Sequence, residues 1–322
     1  MLQTRDFRSP LALTPVVIGD DEVRAALSAS AVAAEIERAF DALAHGRAAI
    51  MARQRIDCGP VKLSAMGAIW LDVQLAGQKV YPTVDGHFGF LMNLFDTVSG
   101  QPLAVLPGQA LTAVRTPALT LAALRRAVVR PRKLALFGAG HQGHAHLQAL
   151  LHSLPFQEVA VVDPADPAAR CDAWRTTFDR DIHPATAEDA VRDADAVVTV
   201  TRSKTPVFDG HWLSPGAVVA AIGTSLPTGR ELDDTTLSRA ARVVVEWKPQ
   251  SLHEAGEVVL GLQAGALRPE RICDWTDLAL GRDVWRRDAQ EIVVFKSVGV
   301  GLSDLAAAAM VWAAWQRSSP TP

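Results

Sequence analysis

The chain predicts an α/β protein in which a parallel-sheet domain stands beside an α+β domain. Three observations carry this. After Pro131, short apolar runs at 134–137, 159–162, 196–200, 218–222 and 243–245 alternate with helical or loop segments. Runs of that length joined by crossovers indicate parallel strands covered on both faces. Gly138-Ala139-Gly140-His141-Gln142-Gly143 follows the first of these strands and opens a helix, the setting in which a glycine-rich turn binds a dinucleotide. Before residue 116, in contrast, apolar runs between Val61 and Val105 are broken by Gly77, Asp85-Gly86 and Ser99-Gly100, which reads as antiparallel strands joined by turns.

Length and composition agree with such a fold. The 322 residues suffice for one large or two medium domains. Apolar residues make up 49% and charged residues 21%, the proportions of a globular chain. The formal charge is −3, from 32 Lys+Arg against 35 Asp+Glu, with no basic run, so nothing offers a nucleic acid its electrostatic footprint. No stretch approaches the ~18 uninterrupted apolar residues of a membrane span. The opening MLQTRDFRSPLALTP has too short an apolar part for a secretory leader. Cys58, Cys171 and Cys273 are odd in number and far apart. They fit a reducing cytoplasm and offer neither a disulfide framework nor a thiolate metal site.

In chain order, Val32, Ile36, Phe40 and Leu43 recur at intervals of three and four, the apolar stripe of a helix over 30–46. Ser30 is its expected N-cap and Gly46 its left-handed end. The antiparallel strands follow. A second helix is expected from Thr116 to about residue 129, with Thr116 as N-cap and Pro117 in the first turn. Arg115, beside that helix start, reads by itself more readily as a surface arginine next to an ordinary cap than as a clamp for a phosphate or carboxylate. The domain boundary falls in this helix. An Ala-rich helix over 302–315 ends the sequence.

Within the glycine-rich turn each position has a physical task. Gly138 permits the tight turn, Gly140 lets the backbone approach a pyrophosphate, and Gly143 lets the helix pack on its strand. Free N–H groups at the helix start attract the phosphates. Asp163 ends the next strand, the place for an acid that binds the adenine ribose hydroxyls and repels a 2′-phosphate, so NAD is expected over NADP. His141, His144 and His146 lie close together, but they start the cofactor helix, whose positive end disfavours a cation; no metal is expected.

Several segments together resemble the ornithine cyclodeaminase/μ-crystallin family: QKVYPT (78–83), FDTVSGQPLAVL (95–106), RTPALTLAAL (115–124), LALFGAGHQGHAHLQAL (134–150), AIGTSLPTGREL (221–232) and VVFKSVGVGLSDLAAA (293–308). They stand in the family's order and cover most of the chain. The resemblance implies a substrate and dimerisation domain over 1–125 with the returning helix 302–322, a Rossmann-type NAD(P)-binding domain over 126–301, and a homodimer. It implies that Lys79 is the active-site lysine, that Arg53 (or its neighbour Arg55) and Arg115 bind the substrate carboxylate, and that His141 and Gln142 touch the cofactor. Arg115 and Thr116 adjoin the cofactor as well, and Thr201, Gly223 and Ser297 match positions near its nicotinamide half.

One departure from the cyclodeaminase pattern is informative. Ser225 stands where ornithine cyclodeaminases carry an acid/base aspartate, and Ser64 replaces a further acidic residue. A serine hydroxyl does not titrate near neutrality and cannot take up and return a proton as a carboxylate does. Ketimine reductases of the μ-crystallin type resemble this chain in carrying serine there, followed by a ProxxArgGluLeu run such as Pro227 with Arg230-Glu231-Leu232. The expected reaction is therefore reduction of a cyclic imine acid, with Lys79 either contacting the substrate carboxylate or giving the proton to the imine nitrogen, and Ser225 orienting substrate or water. The alternatives are cyclodeamination of ornithine, with Asp85, His87 or Glu231 as the missing base, and a non-catalytic protein that binds a nicotinamide cofactor and a small ligand.

Overall fold

The computed structural model describes residues 14–318; the opening segment through Leu13 and the last four residues of the tail lie outside the described residues. Two sheets organise the chain. The first is built from β1 (Val16–Val17), β2 (Ala48–Cys58), β3 (Val61–Trp70), β4 (Leu75–Val84), β5 (His87–Phe88), β6 (Leu91–Asp96) and β7 (Pro102–Pro107). Its order is β1-β7-β6-β4-β3-β2, with β5 paired to β4, and every pairing is antiparallel except β1 with β7. The apolar run 68–75 spans a strand end and the start of the next. It ends β3, passes through a short 3-10 turn and begins β4. Strand β2 was not expected, because its sequence AAIMARQRIDC is too polar to read as a buried strand.

Helices α1 (Asp20–Ala26) and α2 (Ala29–Ala44) pack beside this sheet. The cap of α2 is Ser28, whose hydroxyl accepts from the Ala31 N–H, and not Ser30, which instead receives Arg125 Nη2 at 2.9 Å. Helix α3 (Gly108–Ala127) links the two sheets.

The second sheet contains β8 (Lys133–Phe137), β9 (Glu158–Val162), β10 (Asp181–Pro184), β11 (Ala196–Thr199), β12 (Val218–Ala221), β13 (Arg242–Val245), β14 (Ile272–Asp274) and β15 (Val293–Lys296). All are parallel, in the order β10-β9-β8-β11-β12-β15-β13-β14. Apart from the edge strand β10, where only Ile182 is buried, their residues are almost wholly buried, as expected for strands covered on both faces. Around and between them run α4 (His141–Ser153), α5 (Ala168–Phe178), α6 (Ala187–Val191), α7 (Asp234–Arg239), α8 (Lys248–Glu254), α9 (Gly256–Gln263) and α10 (Trp275–Ala279). The strand order reverses between β8 and β11, so the carboxyl ends of these two strands form the crevice where such sheets bind ligands.

The last helix, α11 (Gly301–Ser318), leaves β15 and packs back on β3 and β4 of the first sheet. A side chain on Gly301 would collide with the backbone of Gly67 in β3. This close approach puts the first turn of α11 directly over the inner face of the first sheet. No helix among the described residues is long and apolar enough to cross a membrane.

Candidate active site

Strand alternation decides which side chains of the first sheet point inward. On β3 these are Ser64, Met66, Ala68 and Trp70, all buried. Lys79 of β4 is registered opposite Met66, and Tyr81 opposite Ser64, so Lys79 points to the same inner face. It is only 2% exposed. The irregularity in β2 between Met51 and Gln54 alters the side-chain alternation around Arg53. Arg115 comes from α3 and Asp304 from the first turn of α11.

These groups converge. Lys79 Nζ donates to Asp304 Oδ1 at 2.7 Å, and Arg115 Nε donates to the same oxygen at 3.0 Å. Arg53 and Arg115 both lie against Gly299, their Nη atoms 3.2–3.4 Å from where a β-carbon on that residue would sit. Arg53 Nη1 donates to Glu254 Oε2, and Nη2 to the carbonyls of Val298 and Gly299, each at 2.8 Å. Arg55 also pairs with Glu254, and its Nη2 reaches the Ser225 carbonyl at 3.4 Å. Of the Arg53 and Arg115 side-chain donors, three have no hydrogen-bond partner among the described residues: Arg53 Nε, which is buried, and the two Nη atoms of Arg115.

The electrostatics follow from this geometry. Burial is the largest influence on Lys79 and disfavours its charge; Asp304 opposes that, while Arg115 and Arg53 add to it. The result is a lysine pKa lowered to about 7. For Asp304, burial disfavours ionisation, but the Arg115 and Lys79 charges outweigh it and hold the carboxyl below its usual range. Lys79 Nζ also lies 5.1 Å from the Phe90 ring centroid and 6.0 Å from that of Tyr81, at cation–π distance. Behind the loop following β15, Glu246 accepts the N–H groups of Val298 and Gly299, and its burial raises its pKa.

The glycine-rich turn lies on the same edge of the second sheet. Gly138 has φ +100°, where an L side chain is strained. A β-carbon on Gly143 would collide with the Gly138 carbonyl, whereas one on Gly140 meets nothing within 4 Å. The start of α4 thus faces open space, with His141 and Gln142 as its first two residues, a cradle suited to a pyrophosphate. Asp163, immediately after β9, accepts the Ala139 N–H at 2.6 Å and the Ala165 N–H at 2.9 Å. From this turn the edge continues through Thr201 after β11, Gly223 and Ser225 after β12, and Ser297 after β15, which is 2% exposed. The step from β8 to β15 crosses three strand spacings, about 14 Å.

Two expectations are corrected. Thr116 does not cap a helix. Helix α3 begins at Gly108, Pro117 lies inside it, and the Thr116 hydroxyl donates to the Thr112 carbonyl at 2.8 Å. Arg115 therefore projects from mid-helix, and no helix start adds to its charge. The three bases considered for a lyase do not join the cation cluster. Asp85 and His87 sit on an exposed hairpin. Glu231 is wholly buried, with both oxygens occupied by Thr201 and Gly223.

Sequence reasoning passed over Asp304, Glu254 and Glu246. Nothing local in GLSDLAAAA distinguishes Asp304 from an ordinary acidic residue near a helix start, where such residues are common.

A family model for the ornithine cyclodeaminase/mu-crystallin family matches residues 14–319. The chain belongs to this family. The mouse protein named ketimine reductase mu-crystallin is 32% identical over 226 residues, which are 69% of this chain and 68% of its own. A Delta(1)-pyrroline-2-carboxylate reductase of Colwellia psychrerythraea is 32% identical over 69% of this chain and 72% of its own. Among solved structures, a probable ornithine cyclodeaminase from Bordetella pertussis Tohama I superposes with TM-score 0.90 at 39% identity, covering 96% of this chain and 100% of that one. An archaeal alanine dehydrogenase dimer with bound NAD superposes with TM-score 0.88 at 25% identity, covering 95% and 98%.

Proposed function

We propose that this chain reduces a cyclic imine acid, of the Δ1-pyrroline-2-carboxylate or Δ1-piperideine-2-carboxylate type, with NADH. The observation that carries this reading is the buried Lys79, hydrogen-bonded to Asp304 and flanked by the unpartnered Arg115 fork. A carboxylate needs a fixed pair of donors, and Arg115 Nη1 and Nη2 supply it. Lys79, with its pKa near 7, is a proton donor matched to neutral conditions.

The residues at the other end of the edge fit a dinucleotide. Gly138, Gly140 and Gly143 with the α4 start would hold the pyrophosphate, and Asp163 the ribose hydroxyls, favouring NAD over NADP. His141, Gln142, Thr201, Gly223 and Ser297 would line the path toward the nicotinamide. When bound, the cofactor supplies a hydride to the imine carbon. The chain's own residues do the rest. Arg115 and Arg53 fix the carboxylate and so aim the ring. Lys79 gives its proton to the imine nitrogen and is recharged from solvent. Asp304 is a positioning residue that holds Lys79 Nζ in place, and Phe90 and Tyr81 crowd that ammonium with apolar surface. Ser225 orients substrate or water and transfers no proton.

The names of the mouse and Colwellia relatives support a reductase. The Bordetella likeness supports the second reading, ornithine cyclodeamination, but Asp85 and His87 lie on an exposed hairpin beyond the Lys79 end of β4 and both Glu231 oxygens are occupied. Mixing the purified protein with NADH and each cyclic imine acid, while following the absorbance of the reduced nicotinamide, tests the proposal. Ammonia release from ornithine with catalytic NAD would favour the lyase instead, and cofactor binding without either reaction the non-catalytic reading.

The assembly we infer is a homodimer through the outer face of the first sheet. Leu91, Val80 and Ala65 form one cross-strand row there, and Phe95, Ala76 and Ile69 another. Leu91, Phe95 and Ile69 are exposed, an apolar surface of the kind that marks a protein contact. Free cysteines at Cys58, Cys171 and Cys273 suit a cytoplasmic location.

A further inference from the structure

Between the two ends of the site lies a group of buried charges that touches neither the cation cluster nor the glycine-rich turn. Glu231 Oε1 accepts the Thr201 N–H at 2.8 Å and the Thr201 hydroxyl at 2.7 Å, and its Oε2 accepts the Gly223 N–H at 2.7 Å. The Glu231 N–H donates to Glu257 Oε1 at 2.8 Å. The other Glu257 oxygen lies 3.0 Å from Lys296 Nζ, which donates to the Thr224 carbonyl at 2.8 Å. Glu231, Glu257 and Lys296 are all 0% exposed.

Burying such a set is costly, and an apolar trio of equal volume is often as stable or more so. What an apolar trio cannot do is accept from two backbone N–H groups on neighbouring strands. Thr201 follows β11, Gly223 follows β12, and Lys296 ends β15. The cluster therefore ties three adjacent strand ends to one another and to α9, with Ser225 two residues beyond Gly223. A β-carbon on Gly223 would collide with the Thr201 carbonyl and crowd Glu231 Oε1, so the two loops are pressed together around this carboxylate.

We propose that Glu231 is a positioning residue for the reduction. It clamps the loops after β11 and β12, backed by the Glu257–Lys296 pair, and so sets the floor on which the nicotinamide ring is presented to the substrate. This rests on the cofactor reading given above. Its test separates the two. In E231Q one acceptor oxygen becomes a donor, so at least one of the three bonds to Glu231 is lost. Amide hydrogen exchange on the cofactor-free variant is expected to be about tenfold faster at Thr201 or Gly223, whichever faces the amide NH2, the equivalent of one hydrogen bond, and unchanged at Ala139, whose N–H is held by Asp163.

In the assay, kcat is expected to fall about tenfold or more, with the KM for NADH shifted less than about threefold. The primary isotope effect with 4-deuterated NADH is expected to rise, which a mere loss of folded protein would not produce. If E231Q does not fold, Thr201→Val removes the hydroxyl bond alone and is expected to show the same split at smaller size. Unchanged exchange at both amides, or an unchanged kcat and isotope effect in a folded variant, would overturn the proposal. A wild-type protein that neither binds nor oxidises NADH would sink the cofactor reading alone, and the exchange rates would still decide whether Glu231 holds the loops.

Discussion

The two ends of the site are built on opposite principles. The glycine-rich turn uses six consecutive residues, mostly backbone, and works by leaving space: a missing side chain at Gly140 and a positive φ at Gly138. The cation cluster uses side chains from β2, β4, α3 and α11, and Lys79 meets Asp304 across 225 residues of sequence. The first is made by local conformation and the second by packing. The difference teaches that binding the cofactor and carrying out the chemistry should be separable by mutation.

Lys79→Met tests that separation most severely. Loss of a positioned general acid costs on the order of 10²–10⁴ in rate, and turnover is expected to fall into that range while NADH affinity by fluorescence titration stays within a few-fold. A parallel loss of affinity would show that the two ends are one unit. Gly143→Ala attacks the other side. Its β-carbon meets the Gly138 carbonyl, so NADH affinity should drop by roughly 10² or more, since a steric clash in a close-packed site costs about 1–3 kcal/mol and sometimes more. Binding of a carboxylate inhibitor to the cofactor-free protein should survive.

Asp163→Ala is expected to weaken NADH about tenfold, one charge-assisted hydrogen bond, and NADPH less; equal losses would remove the ribose argument. The smallest effect is a shift in pH dependence. Lys79 is protonated below about 7, so kcat/KM for reduction should be level on the acid side and decline above that point. Asp304 raises the Lys79 pKa, so in Asp304→Asn the decline should begin at lower pH. A profile that moves to higher pH would reverse the role given to Asp304.

Legibility in the sequence follows the same division. The strand–turn–helix of 134–150 could be read directly because each element depends on its own neighbours. Asp163 was legible as the end of the next strand for the same reason. Lys79 and Arg53 were reached through family resemblance, and Arg115 through it and through a helix start that the structure places at Gly108 instead; periodicity alone marks Lys79 as an ordinary strand lysine. Pro117 misled because proline usually opens helices or breaks them. Here α3 starts nine residues earlier, with Ala110 and Leu111 already buried in the core, and tertiary packing overrode the local preference. Strand β2, with its two arginines, was missed because its inward polar groups are satisfied by Glu254, Gln250 and the 298–299 carbonyls, none of them near in sequence.

Composition, periodicity and the glycine turn by themselves determined the class of fold and the parallel sheet, and singled out the turn proposed for a dinucleotide, because these depend on backbone geometry over a few consecutive residues. The tertiary structure alone decided which acids meet which bases. Only when α11 closes on the Gly67 backbone does Asp304 reach Lys79 and Arg115, and only when the ends of β11 and β12 align does Glu231 find its N–H partners. Coulomb and hydrogen-bond energies depend on distance in space, and separation along the chain carries no information about that distance until the core has packed.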